Sequence, residues 1–174
     1  MFLKNSIFLD FSLDQKYIFI IDKNKFYRKK ILSLKRSENL PNIFYSFVKK
    51  NEIKINNTFR LYVNVGPGHI IAIRNSIVFA KILSLIFNCS LHGFSNYQLL
   101  KFFKTKTNKV LLIMRQRKLL LDLSKRKIKK LTESEVIKFK KLIFKIKYDK
   151  KVLENLVLTK EFEKKVFPIS YSDI

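Results

Sequence analysis

A chain of 174 residues that is 47% hydrophobic has enough apolar material for a core, which excludes global disorder despite a formal charge of +24. Its one cysteine, Cys89, excludes an internal disulfide and fits a reducing cytoplasm. Of the 37 basic residues only seven are arginine, and lysine, asparagine, isoleucine and phenylalanine dominate the chain, so the charge reads first as compositional drift and only second as a nucleic-acid footprint.

Ser6 to Ser12, Lys16 to Ile21 and Phe26 to Leu34 read as three strands. The breaks Leu13-Asp14-Gln15 and Asp22-Lys23-Asn24-Lys25 are short and polar, which predicts antiparallel hairpins. Ser37 is placed to cap a helix with Glu38 in its first turn. Leu40, Ile43, Phe44, Phe47 and Val48 then follow at helical spacing, with Pro41 near the start where it costs least. Phe59 to Val65 is a fourth strand, stopped by Gly66-Pro67-Gly68.

From His69 to about Asn88 the chain has helical length and is apolar almost all round. Such a helix has to be covered on every side, by the sheet on one and by something else on the other. Arg74 and Lys81 interrupt the run, which falls short of a clean membrane span. Asp10 and Asp14 follow the N-terminus too soon for a signal peptide. Ser90 to Phe94 is a fifth strand, and Ser95 to Lys104 a short helix.

The order β-β-β-α-β-α-β is that of an α/β, actin-like ATPase or ribonuclease-H-like lobe. After residue 105 the signals weaken, which predicts lobes at 1–104 and 105–174, the second reduced. Lys109 to Met114 and Lys118 to Leu123 suggest a hairpin. Thr132-Glu133-Ser134-Glu135 is a capping box before a helix that includes Val136, Phe139, Ile143 and Ile146. Lys151 to Phe167 predicts a last helix, stopped by Pro168, and 169–174 a last strand or tail.

The enzyme chemistries of this architecture find little to work with. A kinase needs glycine-rich loops whose amides wrap phosphates, and the turn after the first strand, Ser12-Leu13-Asp14-Gln15, has no glycine. A two-metal nuclease needs three converging carboxylates; Asp10 and Glu38 suit two positions, but Asn64 stands at the third. His69 and His92 lie on different elements and do not form a metal pair, and Cys89 reads as buried and inert. Arg74 opposes the helix dipole in the first turn, which points to a specific partner, an interface carboxylate or a phosphate. Arg115, Arg117, Lys118, Lys125, Arg126, Lys127, Lys129 and Lys130 form the basic run best placed to touch RNA, with a plain solvated face as the preferred reading.

The informative segment is Val63-Asn64-Val65-Gly66-Pro67-Gly68-His69-Ile70-Ile71-Ala72-Ile73-Arg74. It resembles the signature of the TsaB (YeaZ) family, with Gly66, Pro67, Gly68 and Arg74 at matching spacing. Ile7 to Ser12, Ser37 to Pro41 and Leu91-Gly93-Ser95 resemble that family's opening strand, first helix and later strand, and 167–171 its C-terminal motif. There are departures. His69-Ile70-Ile71-Ala72 replaces a Ser-Phe-Thr-Gly run, Met114-Arg115 replaces an Asp-Ala pair, and the second lobe is short.

The resemblance implies a non-catalytic scaffold without a cofactor of its own, a nucleotide shared at a subunit junction being left open. It implies pairing through the two helices of the first lobe with a TsaD-type transferase that makes threonylcarbamoyladenosine on tRNA. A TsaE-type ATPase completes that assembly, tRNA is met indirectly, no membrane is involved, and a homodimer can form when the partner is absent. Phe44, Phe47, Val48, Arg74, Ile77, Ala80, Lys81 and Ser84 are the expected contact residues. The rival reading is a basic RNA-binding or ribosome-associated protein.

Overall fold

The structure, a computed structural model, describes residues 5–31, 39–103, 107–115, 117–144, 146–163 and 165–169. The chain divides into two compact units, Met1–Ser95 with Phe162–Ile169, and Asn96–Glu161 with 170–174.

In the first unit the strands are β1 (Ser6–Asp10), β2 (Lys16–Asp22), β3 (Lys25–Ile31), β4 (Arg60–Asn64) and β5 (Ser90–Phe94), in the sheet order β3-β2-β1-β4-β5. The first three strands pair antiparallel through short turns, and β1, β4 and β5 run parallel. All five residues of β1 are buried, as expected of a central strand in a mixed sheet. Helices α1 (Leu40–Lys50) and α2 (Ile70–Phe87) lie in the connections between parallel strands. Their apolar residues join Ile7, Leu9, Ile18, Ile20, Leu61 and Val63 in one core.

Strand residues alternate faces, so the intervening positions form a second, aromatic row. Phe19, Phe8, Tyr62 and His92 are register neighbours across four strands. Phe8 stacks on Tyr62 at 4.7 Å and Tyr62 on His92 at 5.2 Å, with Phe162 against both Tyr62 and His92. The returning segment Phe162–Ile169 is tied on by Glu163 N–H to Gly93 O (2.9 Å) and Ile169 N–H to Val65 O (2.8 Å).

The expected cap at Ser37 and Glu38, and the end of the third strand beyond Ile31, lie outside the described residues. Helix α2 closes at Asn88, which takes a left-handed φ of 50°, while the Ser84 hydroxyl donates to the Cys89 carbonyl at 2.6 Å.

The second unit holds α3 (Asn96–Lys101), a three-stranded antiparallel sheet β6-β7-β8 (Lys109–Met114, Arg117–Asp122, Lys127–Lys130), α4 (Glu133–Lys138) and α5 (Lys150–Leu158). Its first residues are those of α3, because Gln98 donates to the Glu161 carbonyl at 2.6 Å and α3 packs on α5; the expected division near 105 falls inside this unit. The Thr132–Glu135 capping box is formed. Its helix is shorter than the apolar spacing suggests. A 3-10 turn at Lys140–Leu142 follows, and Phe144 N–H bonds to Leu111 O at 3.0 Å, so the edge of β6 takes the backbone that a longer helix would use. The last helix is short too: Asp149 caps it by accepting from Val152 N–H at 2.8 Å, and Lys160, at φ 53°, stands just past its end.

Candidate functional site

Two places in the first unit carry the residues singled out by sequence. The first is where the parallel strands β1 and β4 end, the edge at which sheets of this type usually hold ligands. Asp10 ends β1 and is buried. It accepts hydrogen bonds from the Ser12 amide (2.9 Å) and the Ser12 hydroxyl (2.7 Å). Burial pushes its carboxyl above the ordinary value of 3.8, while the bonds from Ser12 and Asn64 pull the other way.

Asn64 ends β4, and its Oδ1 accepts from the Gly66 amide at 2.8 Å. Gly66 has φ +107°, a torsion suited to glycine, and the Gly66–Pro67 bond is cis. Gly68 is pressed onto the β1–β2 turn: a Cβ there would lie 2.0 Å from the Ser12 carbonyl oxygen. His69 N–H donates to that same oxygen at 2.7 Å, and His69 Nε2 meets Asp14 Oδ1 at 2.8 Å.

Backbone thus meets backbone between Ser12 and Gly68. A nucleotide's phosphates would need open amides there, and this donor set does not fit them. Among the described residues no group of three His, Cys, Asp or Glu side chains is placed to hold a metal; Glu38 lies outside them. His92 sits in the aromatic row, with its imidazole pushed below the usual range by burial and by Arg60. The Cys89 thiol is buried, pushed up by desolvation, and donates to Asn56 O at 3.1 Å. Asp10, His92 and Cys89 are each engaged by neighbours within the first unit.

The second place is the outer side of α2. Ala72, Ile73, Ile77, Ala80 and Leu83 enter the core. The opposite side presents Ile71 (71% exposed), Val78 (57%), Ile82 (46%), Leu85 (83%) and Ile86 (67%) to solvent. Positions 71, 78 and 85 are seven apart, so they line one stripe about two turns per step. Arg74 and Lys81 are also seven apart and run along one flank of it. Lys81 Nζ lies 4.7 Å from the ring of Phe167, itself largely exposed. By length and composition α2 could cross a membrane, yet here one side is packed into a core.

The expected contact residues divide accordingly. Arg74 and Lys81 are exposed. Phe44, Phe47, Ile77 and Ala80 are buried, and Phe44 meets Phe79 edge-on at 5.3 Å, joining α1 to α2 within the chain. Val48 is half-buried against the core, and Ser84 is engaged in closing the helix. Those six do not form an outward surface, because the sheet takes the side of α2 on which Ile77 and Ala80 lie. Gly66, Pro67 and Gly68 form the buried turn already described. The contact residues expected from the sequence do not include Ile71, Val78, Ile82, Leu85 and Ile86, the exposed apolar positions of α2. The available signal was the pair Arg74 and Lys81, since the charged residues of an otherwise apolar helix mark its wet side.

No family model matches this chain, and no curated protein matches it in sequence. Solved structures do. YeaZ from Pseudomonas aeruginosa superposes with a TM-score of 0.54 at 11% identity, covering 75% of this chain and 66% of that one. A second structure, an uncharacterized protein with similarity to peptidase YEAZ from Pseudomonas aeruginosa, gives 0.54 at 11% identity, with 75% and 65% covered. The chain thus spans just under two thirds of the length of these structures. The likeness shows the fold: a mixed α/β lobe of the actin-like ATPase kind around a five-stranded sheet.

Proposed function

We propose that this chain is a non-catalytic scaffold subunit that binds a TsaD-type transferase in the synthesis of threonylcarbamoyladenosine on tRNA, with the outer side of α2 as its docking surface. The observation that carries the proposal is that stripe, five exposed aliphatic side chains on one helix of a YeaZ-like lobe. Contiguous exposed apolar surface of this kind marks interaction sites. The closed contact between Ser12 and Gly68 supports a role without nucleotide chemistry in this chain. In this reading a TsaE-type ATPase and tRNA belong to the same assembly and are met through the transferase, and any nucleotide is held at a subunit junction.

The test is co-expression with the TsaD-type protein of the same genome, followed by size-exclusion chromatography with light scattering in high salt, which suppresses charge-driven adhesion. A stable stoichiometric complex, lost in Leu85→Glu, is the expected result. Failure of the wild-type chain to form any complex overturns the reading.

A second reading, a basic RNA-binding or ribosome-associated protein, draws on the second unit. There β8 is an edge strand with Lys127, Lys129 and Lys130 exposed, directly after exposed Lys125 and Arg126. It requires that the isolated chain retain tRNA with an affinity that falls steeply as salt rises.

A further inference from the structure

We infer that the cavity between β3 and α1 binds a small phosphate monoester with an apolar body. This site goes beyond the docking surface proposed above and shares no residue with the outer side of α2.

The cavity has a volume of about 460 Å³, within the roughly 300–1,000 Å³ of small-molecule sites. Two elements build it. Alternate residues of β3 share a face, and Tyr27, Lys29 and Ile31 lie on the face that packs into the core. On α1, Asn42, Ile43, Ser46 and Lys50 recur at helical spacing and lie along one flank. Phe44, which meets Phe79 of α2, stands two residues from both Asn42 and Ser46, so that flank is turned away from α2.

The lining is amphipathic. Ile31 and Phe47 are buried and Ile43 is half-buried, which makes an apolar floor. Lys29, Lys30 and Lys50 line the same cavity as exposed cations, and no carboxylate joins them. Lys101, Lys118, Lys129 and Lys150 of the second unit each pair with a glutamate. Among the described residues the three lysines of the cavity pair with none. A merely solvated lysine face needs neither a concavity nor an apolar floor.

The charge calls for an anion, and the kind of cation selects which. A planar carboxylate is matched best by the fork of an arginine, and no arginine lines the cavity. Ammonium groups are point charges, suited to a compact dianion approached from several directions. A phosphate monoester carries about two negative charges at neutral pH. The Ser46 hydroxyl is a further donor to it, and its ester group lays an apolar body on the floor that inorganic phosphate would leave unused. With no carboxylate, imidazole or thiol in the lining, the site is one of binding.

The experiment titrates the full chain with phenyl phosphate by calorimetry, in moderate salt that screens the diffuse attraction of a +24 chain for anions. Phenyl phosphate is expected to bind at one site, at least about tenfold more tightly than inorganic phosphate, because its ring buries apolar surface. Lys29→Gln/Lys50→Gln is expected to weaken it at least about tenfold, and Ser46→Glu to abolish it. These positions are exposed, so thermal melting should not change. The charge-matched pair Lys127→Gln/Lys130→Gln on β8 is expected to change the affinity less than about twofold.

Three results overturn the inference: no binding of phenyl phosphate, binding no tighter than that of inorganic phosphate, or equal losses in the two double variants, which would mean an adventitious anion only. Each of them leaves the docking surface on α2 standing.

Discussion

The strand-end cluster and the outer side of α2 begin within a few residues of one another, at His69 and Ile71, and have opposite characters. The cluster holds the residues that carry chemistry in other proteins: two aspartates, a histidine, an asparagine, a serine and a glycine-rich turn. Its centre is turned inward, with Asp10 capping its own turn and Gly68 against the Ser12 backbone, while Asp14 and His69 pair at its partly exposed rim. The outer side of α2 holds mostly isoleucine, leucine and valine, which have no chemistry, and it is open. In this lobe the polar cluster is closed into the fold, and the open side of α2 is apolar.

Substitutions can break or sharpen this contrast. The largest effect is expected for Ala80→Arg. Ala80 is 0% exposed, so the new side chain overpacks the core and buries a charge. The cost should be on the order of 3 kcal/mol or more, read as a collapse of cooperative unfolding by circular dichroism. A variant that melts normally would mean that Ala80 faces outward. Gly68→Ala comes next, at about 2–3 kcal/mol, because its Cβ meets the Ser12 carbonyl, which is backbone and cannot swing away. Wild-type stability in this variant would show that the two turns are not in contact.

Asp10→Asn should change stability by less than about 1 kcal/mol at neutral pH, since it removes a desolvated charge while keeping an acceptor for Ser12. The sign of its pH dependence follows from the raised pKa. A folded-state pKa above the unfolded value means that the carboxyl stabilises the fold most below about pH 3.8 and loses that contribution as pH rises through the folded value. Wild type should therefore gain on Asp10→Asn as pH falls toward 4, measured as the difference in Tm. A difference of the opposite slope would place Asp10 in a site that favours its charge. The smallest effect on stability, within about 0.5 kcal/mol, is expected for Leu85→Glu on the exposed stripe. A large loss of stability there would mean that the stripe is covered within the chain.

Sequence reasoning misses β8, because Lys127-Ile128-Lys129-Lys130 is mostly lysine. Its strand character comes from pairing with β7, where Ile128 lies opposite Leu121. The last helix, read to Phe167, stops at Leu158, and the segment Phe162–Ile169 joins the first unit through Gly93 and Val65. Partners so distant in sequence leave no local periodicity to detect.

By itself the sequence determined the mixed α/β architecture of the first unit. Strand alternation, short polar turns, the helical spacing from Leu40 and the Gly66-Pro67-Gly68 stop are local signals, each written within a dozen residues. Which side of α2 faces the world was marked in the sequence by Arg74 and Lys81 alone and was settled by tertiary structure. The helix is apolar on both sides, so the periodicity of its apolar residues names no inner face, and it is the sheet that buries Ala80 and leaves Val78 exposed. The burial of Asp10 is of the same kind, since it depends on Gly68, 58 positions away, closing over the end of β1.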